Sequence, residues 1–315
     1  MNKSCLIGFL MCSAFSLVVQ AATDGAHITK TISQIERKKG IKRTIQYRPD
    51  GNDFVCVNGK NRYTRALYGG ITDFRIETSD RPVFAAYKPK DSKHICFRLQ
   101  CGNQSIALDS LKFCEARYRA GRRTYRLTDP LLGKGELNIS VLAFPDAEGG
   151  IWRFTMKDMP EGALLHCYIS EIRAKNLSRN GDMGADRADS FDAPQLPKEQ
   201  KHYKLSLDGT TAYIVVEDQE LRLPALVEGT SLYDKSEKWR SEIESSLQIS
   251  TPDPYFNPLG GALAAAADGI WDGKIWLHGA IGWRSQLNGW RAAYIGDFIG
   301  WHDRARTHFD PYAAS

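Results

Sequence analysis

From about Ile28 to Pro224 the chain alternates apolar and polar residues in short runs broken by turn residues. Leu137-Asn-Ile-Ser-Val-Leu-Ala-Phe144 is the clearest of them. Thr44–Val57 reads as strand, Pro-Asp-Gly turn and strand again, because Pro and Gly supply the backbone angles a tight turn needs. Further runs lie at Phe74–Thr78, Pro82–Tyr87, Ile95–Leu99, Ser105–Leu108, Lys112–Arg119, Arg123–Leu127, Trp152–Met156, Leu164–Ile169, Tyr203–Leu207 and Ala212–Val216. A side-chain period of two buries one face of each run. Many such runs joined by turns predict a mainly β fold, a large antiparallel β-sandwich over residues 22–224. No βαβ alternation is present, which disfavours parallel-sheet folds. Gly69-Gly70 and Gly149-Gly150 read as turn punctuation, and neither opens a helix as a phosphate loop would. Asn176–Lys201 is polar, Gly- and Asp-rich, and predicts a long exposed loop.

The period then changes. Leu232, Trp239, Ile243 and Leu247 recur at helical spacing, predicting an amphipathic linker helix within residues 225–250, packed at the edge of the sandwich. Pro252, Pro254 and Pro258 force an extended segment, and Leu259–Ala267 follows as an Ala-rich helix ended at Asp268-Gly269. Residues 251–315 form a helical domain on this reading.

Five of the seven Trp fall between Trp271 and Trp301, and a Gly-Trp-basic triplet occurs at Gly282-Trp283-Arg284, Gly289-Trp290-Arg291 and Gly300-Trp301-His302. Read as one helix, Trp290, Tyr294, Asp297 and Trp301 share a stripe, and Ile295, Phe298 and His302 share another. Gly289, Gly296 and Gly300 each cost roughly 1 kcal/mol of helix propensity relative to Ala. Such a cost is accepted where backbones or a ligand come close. Aromatic stripes at helical spacing usually belong to a core. Trp, Arg, His, Asp and Gly together in one segment also suit a sugar site, where aromatic faces stack on rings and Arg or Asp bonds hydroxyls or acids.

This segment, with its lead-in Thr251-Pro-Asp-Pro-Tyr-Phe-Asn-Pro258, resembles the opening of the helical barrel in bacterial six-hairpin, (α/α)6-barrel glycoside hydrolases. The resemblance covers about the last sixty residues. It implies a β-sandwich followed by the first helices of an incomplete (α/α)6 barrel. At about 11–12 residues per helix, a full barrel would extend well beyond Ser315. A truncated or split version is therefore expected, with at least one catalytic carboxylate missing and exposed apolar helix faces that favour self-association. The implied function is that of the N-terminal part of a glycoside hydrolase acting on complex polysaccharide. A non-catalytic glycan-binding or accessory β-sandwich is the alternative. On the catalytic reading Asp297 is the first candidate carboxylate and Asp303 the second, Trp283, Trp290 and Trp301 are pocket walls, and Arg284, Arg291 and His302 bind substrate. An acid role for Asp297 needs a desolvated carboxyl. No cofactor is implied.

Met1–Ala21 reads as a secretory signal peptide, with Lys3 before an apolar stretch and Val19-Gln20-Ala21 as the cleavage motif, so a periplasmic or secreted protein is expected. Removing Lys3 takes the net charge from +5 to +4, which, with no basic tail, disfavours nucleic acid. No later apolar run reaches the ~18 residues of a membrane span. The remaining Cys56, Cys96, Cys101, Cys114 and Cys167 lack zinc-ligand spacing and read as small apolar fillers. An oxidising compartment would permit a disulfide, Cys101 to Cys114 for instance. Arg117, Arg119, Arg122, Arg123 and Arg126 flank a hairpin turn at Ala120-Gly121. They read as a solvated strand face, or as an anchor for acidic polysaccharide.

Overall fold

The computed structural model describes residues 46–60, 63–88, 92–171, 202–278 and 290–314. The predicted leader, the start of the sandwich before residue 46 and the whole Asn176–Lys201 loop lie outside them. The chain divides into a unit of residues 1–43 with 251–253 and a unit of residues 44–250 with 254–315. Both sheets and all the helices described belong to the second.

One sheet has eight strands in the order β1 (Arg48–Asp50), β2 (Asp53–Val57), β8 (Phe113–Arg119), β9 (Arg122–Thr128), β10 (Glu136–Ala143), β11 (Gly149–Lys157), β14 (Thr211–Glu217) and β15 (Glu220–Arg222). The other runs β13 (His202–Ser206), β12 (Leu164–Glu171), β6 (Lys93–Cys101), β5 (Phe84–Tyr87), β4 (Arg75–Ser79) and β3 (Tyr63–Tyr68), with β7 (Gln104–Ala107) also on β6. Every strand pairing among the described residues is antiparallel, as the alternation predicts. Strands β3 and β15 have no counterpart among the predicted runs. Gly149-Gly150 opens β11 instead of forming a turn.

The inward faces meet in one core. Phe84 lies edge-on to Phe97, Tyr125 and Trp152, with ring centroids 5.6–5.7 Å apart, an arrangement aromatic quadrupoles favour. Cys56, Cys114 and Cys167 are buried in the sandwich as apolar fillers, and burial pushes the Cys114 thiol up to about 12. Cys101 and Cys114 are both free thiols, so no disulfide joins them. Cys114 points into the core from β8, whereas Cys101 sits half-buried at the end of β6.

Helix α1 spans Leu226–Ser245, six residues earlier at its start than the first residue of the predicted stripe. It lies across the outer face of the eight-stranded sheet, against β10, β11 and β14, and not at the sandwich edge. Its buried stripe is Gly229, Tyr233, Ser236 and Arg240 rather than the Leu232–Leu247 series. The sheet beneath explains the difference, since it offers polar partners: Ser140 Oγ lies 2.7 Å from Tyr233 Oη. Gly229 permits the seat, because a Cβ there would come within 2.4 Å of the Tyr213 ring. Trp239 and Ile243 instead line a narrow crevice with Ala265 of α2 (Leu259–Asp268) and Tyr68 of β3. The helix therefore uses one face on the sheet and another on α2. Two more helices follow, α3 (Trp290–Phe298) and α4 (His302–Ala313). No helix among the described residues is long and apolar enough to cross a membrane.

Candidate functional site

The single helix expected through Trp290–Trp301 is two helices. Gly300 has φ +86°, its N–H bonds Asp297 O at 3.1 Å, and Trp301 N–H bonds Gly296 O at 2.7 Å. This pair of bonds is the Schellman ending, which places a glycine in the left-handed region just past a helix. Trp301 consequently leaves the stripe of Tyr294 and Asp297 and stands at the start of α4. Asp297 Oδ1 lies 2.7 Å from His302 Nδ1, and both side chains are 67% exposed. The desolvation that an acid role for Asp297 requires is therefore not provided by the described residues. Asp303 is 96% exposed and lies 3.5 Å from Arg306. The two carboxylates have separate partners and do not converge. Trp283 and Arg284 lie outside the described residues, as do the side chains of Trp290 and Arg291 on α3.

The other tryptophans build a small satellite core. Trp276 is fully buried, donates Nε1–H to Ala267 O at 3.0 Å, and its backbone N–H bonds His308 Nδ1 at 3.0 Å. Trp271 packs on it at 4.6 Å between ring centroids. The Arg304 guanidinium sits 4.4 Å from the Trp301 ring centroid and donates to Asp268 Oδ1 at 2.7 Å. Burial raises the Asp268 carboxyl above its ordinary range, against the opposing pull of Arg304. Asp268, which the sequence presents as a helix terminator, thus joins α2 to α4. Its signal was its place three residues before Trp271 at the end of an apolar helix. Tyr294, Ile295 and Phe298 on α3 and Phe309 and Tyr312 on α4 remain exposed, Phe298 to 88%.

Four of the five clustered arginines share the outer strand face, partly exposed and ion-paired, and only Arg123 leaves it for the core. Alternation along β9 sends Arg123, Tyr125 and Leu127 inward and Arg122, Thr124 and Arg126 outward. Arg123 is wholly buried; its Nη2 donates to Tyr47 Oη at 2.7 Å and Ser79 O at 2.9 Å. The outward arginines meet carboxylates. Arg117 bonds Glu115 and Asp50, each at 2.8 Å, Arg119 bonds Glu244 at 2.7 Å, and Arg122 bonds Glu237 at 2.9 Å. Arg126 is held only loosely, 3.5 Å from both Glu115 and Glu136. The hydrogen bond from Arg117 holds the Glu115 carboxyl below its usual range.

Two open grooves border this cluster. The first, about 460 Å³, lies where the β1–β2 and β8–β9 turns meet the C-terminal end of α1 and the start of α2. Asn52, Ser241, Ser245, Gln248, Ser250 and Asn257 line it around the Arg119–Glu244 pair. Burial alone would raise the Glu244 carboxyl, but hydrogen bonds from Arg119 and Arg240 outweigh it and leave it depressed. The second groove, about 370 Å³, runs over the outer faces of β8–β11 beside α1. Neither is legible in the sequence, because each collects residues from several separated segments. No group of three or more potential metal ligands is clustered among the described residues.

Comparison with known proteins adds one family. Residues 89–217 are similar to a family model described as Domain of unknown function (DUF4450). No curated protein matches the chain. The matched stretch includes β6–β14, and with them most of the floor of the second groove.

Proposed function

We propose that this chain is an exported glycan-binding β-sandwich, the N-terminal portion of a polysaccharide-acting protein whose (α/α)6-type helical part begins at α2. The observation that carries the reading is the groove of about 460 Å³ at the meeting of the two strand turns with α1 and α2. Six amide and hydroxyl side chains surround one ion pair in it, with Leu247, Ile249 and Pro258 as apolar patches, a mixture that suits the hydroxyls and the apolar ring faces of a sugar chain. Glu244, pinned by Arg119 and Arg240 and kept ionised, serves as an acceptor for sugar hydroxyls rather than as a proton donor.

Affinity electrophoresis of the whole chain through xylan, arabinogalactan and galactomannan gels tests this. Retardation by at least one of them, lost in Asn52→Ala and Gln248→Ala variants that remain folded, is the expected result. Unretarded migration in every gel would remove the reading. A catalytic role keeps one observation, the Asp297–His302 contact at 2.7 Å beside the exposed Tyr294 and Phe298. Release of reducing ends from these polymers, abolished by Asp297→Asn with α3 and α4 intact, would support it; unchanged release in that variant would exclude Asp297.

A further inference from the structure

The register of β8–β11 arranges the second groove as two rows across the sheet. Glu115, Arg126, Asn138 and Thr155 are successive cross-strand partners in one row. Arg117, Thr124, Ser140 and Arg153 are partners in the next. All eight line the groove. Four arginines, counting Arg122 toward α1, therefore surround it with Glu115 as the one carboxylate among its lining residues.

Arg153 differs from the others. It makes no ion pair or hydrogen bond among the described residues, and its Nε is buried without a partner. Its guanidinium is held 3.9 Å from the Tyr233 ring centroid of α1, so the side chain is positioned before any ligand arrives. The Nε of Arg122 is likewise buried and unbonded. A half-buried cation whose charge meets no carboxylate is costly unless an anion completes it. From Arg153 on β11 to Arg126 on β9 is two strand spacings across and two residues along, about 12 Å, a span suited to a sugar unit carrying a charged group. Asn138 and Ser140 on β10 stand between them, bonded to Glu136 and Tyr233 respectively, and the exposed Thr155 hydroxyl borders them on β11.

We propose that this groove binds an anionic group of a glycan, a uronate carboxylate or a sulfate ester, with Arg153 as its principal charge partner and Arg126 at the rim. The glycan part rests on the function proposed above; the anion site rests on the groove itself. It is separate from the groove that carries that function.

Isothermal titration of the whole chain with hexagalacturonate, a sulfated galactose hexamer, a neutral galactose hexamer and sodium sulfate tests it. One or both charged hexamers bind, and the tighter of the two identifies the anion; binding weakens as salt rises to about 0.5 M, as expected where screening competes with ion pairing. Arg153→Gln lowers affinity about tenfold or more, the loss of a charge-assisted bond. Thr155→Asp, an exposed floor position, lowers it comparably by placing a like charge in the groove with little effect on folding, and decides the matter if Arg153→Gln does not fold. Equal binding of neutral and charged hexamers, no binding of either charged hexamer or of sulfate, or full affinity in Thr155→Asp overturns the proposal. Sulfate binding lost in Thr155→Asp, with no glycan bound in any form, would keep the anion site and remove the glycan reading. Neutral-glycan binding without a charge preference would do the reverse.

Discussion

Replacing Arg240 by Met should loosen α1 from the sheet by a measurable amount. Arg240 is 6% exposed at its side chain and forks onto Glu237, with Nη2 at 2.7 Å and Nε at 3.0 Å. Its Nη1 bonds Glu244 at 2.7 Å and Ala120 O at 3.3 Å. Glu237 also receives Arg122, and Glu244 receives Arg119, so five side chains alternate in sign along the helix and the β8–β9 turn. Each carboxylate keeps one arginine in the variant, so no buried charge is orphaned. The loss is then two sets of charge-assisted bonds, gross about 1.5–3 kcal/mol each. Relief of the guanidinium's desolvation offsets part of that, leaving about 2–3 kcal/mol. At roughly 2–4 °C per kcal/mol for a body of this size, the melting temperature should fall by roughly 4–12 °C. Thermal and urea unfolding followed by circular dichroism, with Arg240→Lys as the variant that keeps charge without the fork, would measure it. Arg240→Lys should lose less than Arg240→Met. A loss below about 0.5 kcal/mol in Arg240→Met, or a gain, would show that apolar packing and not the ion network seats the helix.

His94 gives a pH prediction of definite sign. Burial lowers its pKa from 6.5 to about 4, and its cross-strand neighbours Ala85 and Ser170 supply no charge. A neutral buried histidine contributes fully above 6.5, and that stability, about 3 kcal/mol, is lost as pH falls toward 4. Urea midpoints should drop across this window in the wild type and stay flat in His94→Gln; a flat wild-type profile refutes it. The depressed Glu115 and Glu244 carboxyls act in a lower window, their contribution being lost only below the ordinary carboxylate range. The exposed apolar residues of α3 and α4 predict concentration-dependent association, which sedimentation should detect and Phe298→Ser should weaken; a monomer at all concentrations up to about 0.1 mM would oppose it.

The sandwich was legible because alternation with period two is a local property of each strand. Arg123 shows the limit of reading composition in place of period. Five arginines near one turn look like one charged face, yet Arg123 shares its parity with Tyr125 and Leu127 and so belongs to the core. The break at Gly300 was written in the sequence as a glycine where a helix could end, but a stripe continuing to Trp301 competed with it. Helix α1 was recognised from Leu232, Trp239 and Ile243, while its seat was not, because the sheet-facing stripe is Gly229, Tyr233, Ser236 and Arg240, in which Tyr233 alone carries an apolar signal. Long-range register decides the second groove, and the meeting of distant turns and helix ends decides the first; both are invisible strand by strand.

Sheet order also governs how this molecule resists templated aggregation. An unpaired strand edge invites the edge of another copy, the geometry from which fibrils grow. Among the described residues, each terminal strand carries an obstacle. β1 is three residues long with Pro49, which has no N–H to offer, at its centre, and β15 is equally short. β13 exposes Lys204 at its middle, and β3 is interrupted by a register shift between Tyr63 and Arg65. Charge, brevity, proline and a bulge are four different ways of spoiling the same ladder. The association predicted above should therefore run through the side chains of α3 and α4 rather than through backbone pairing, and a single polar substitution should undo it.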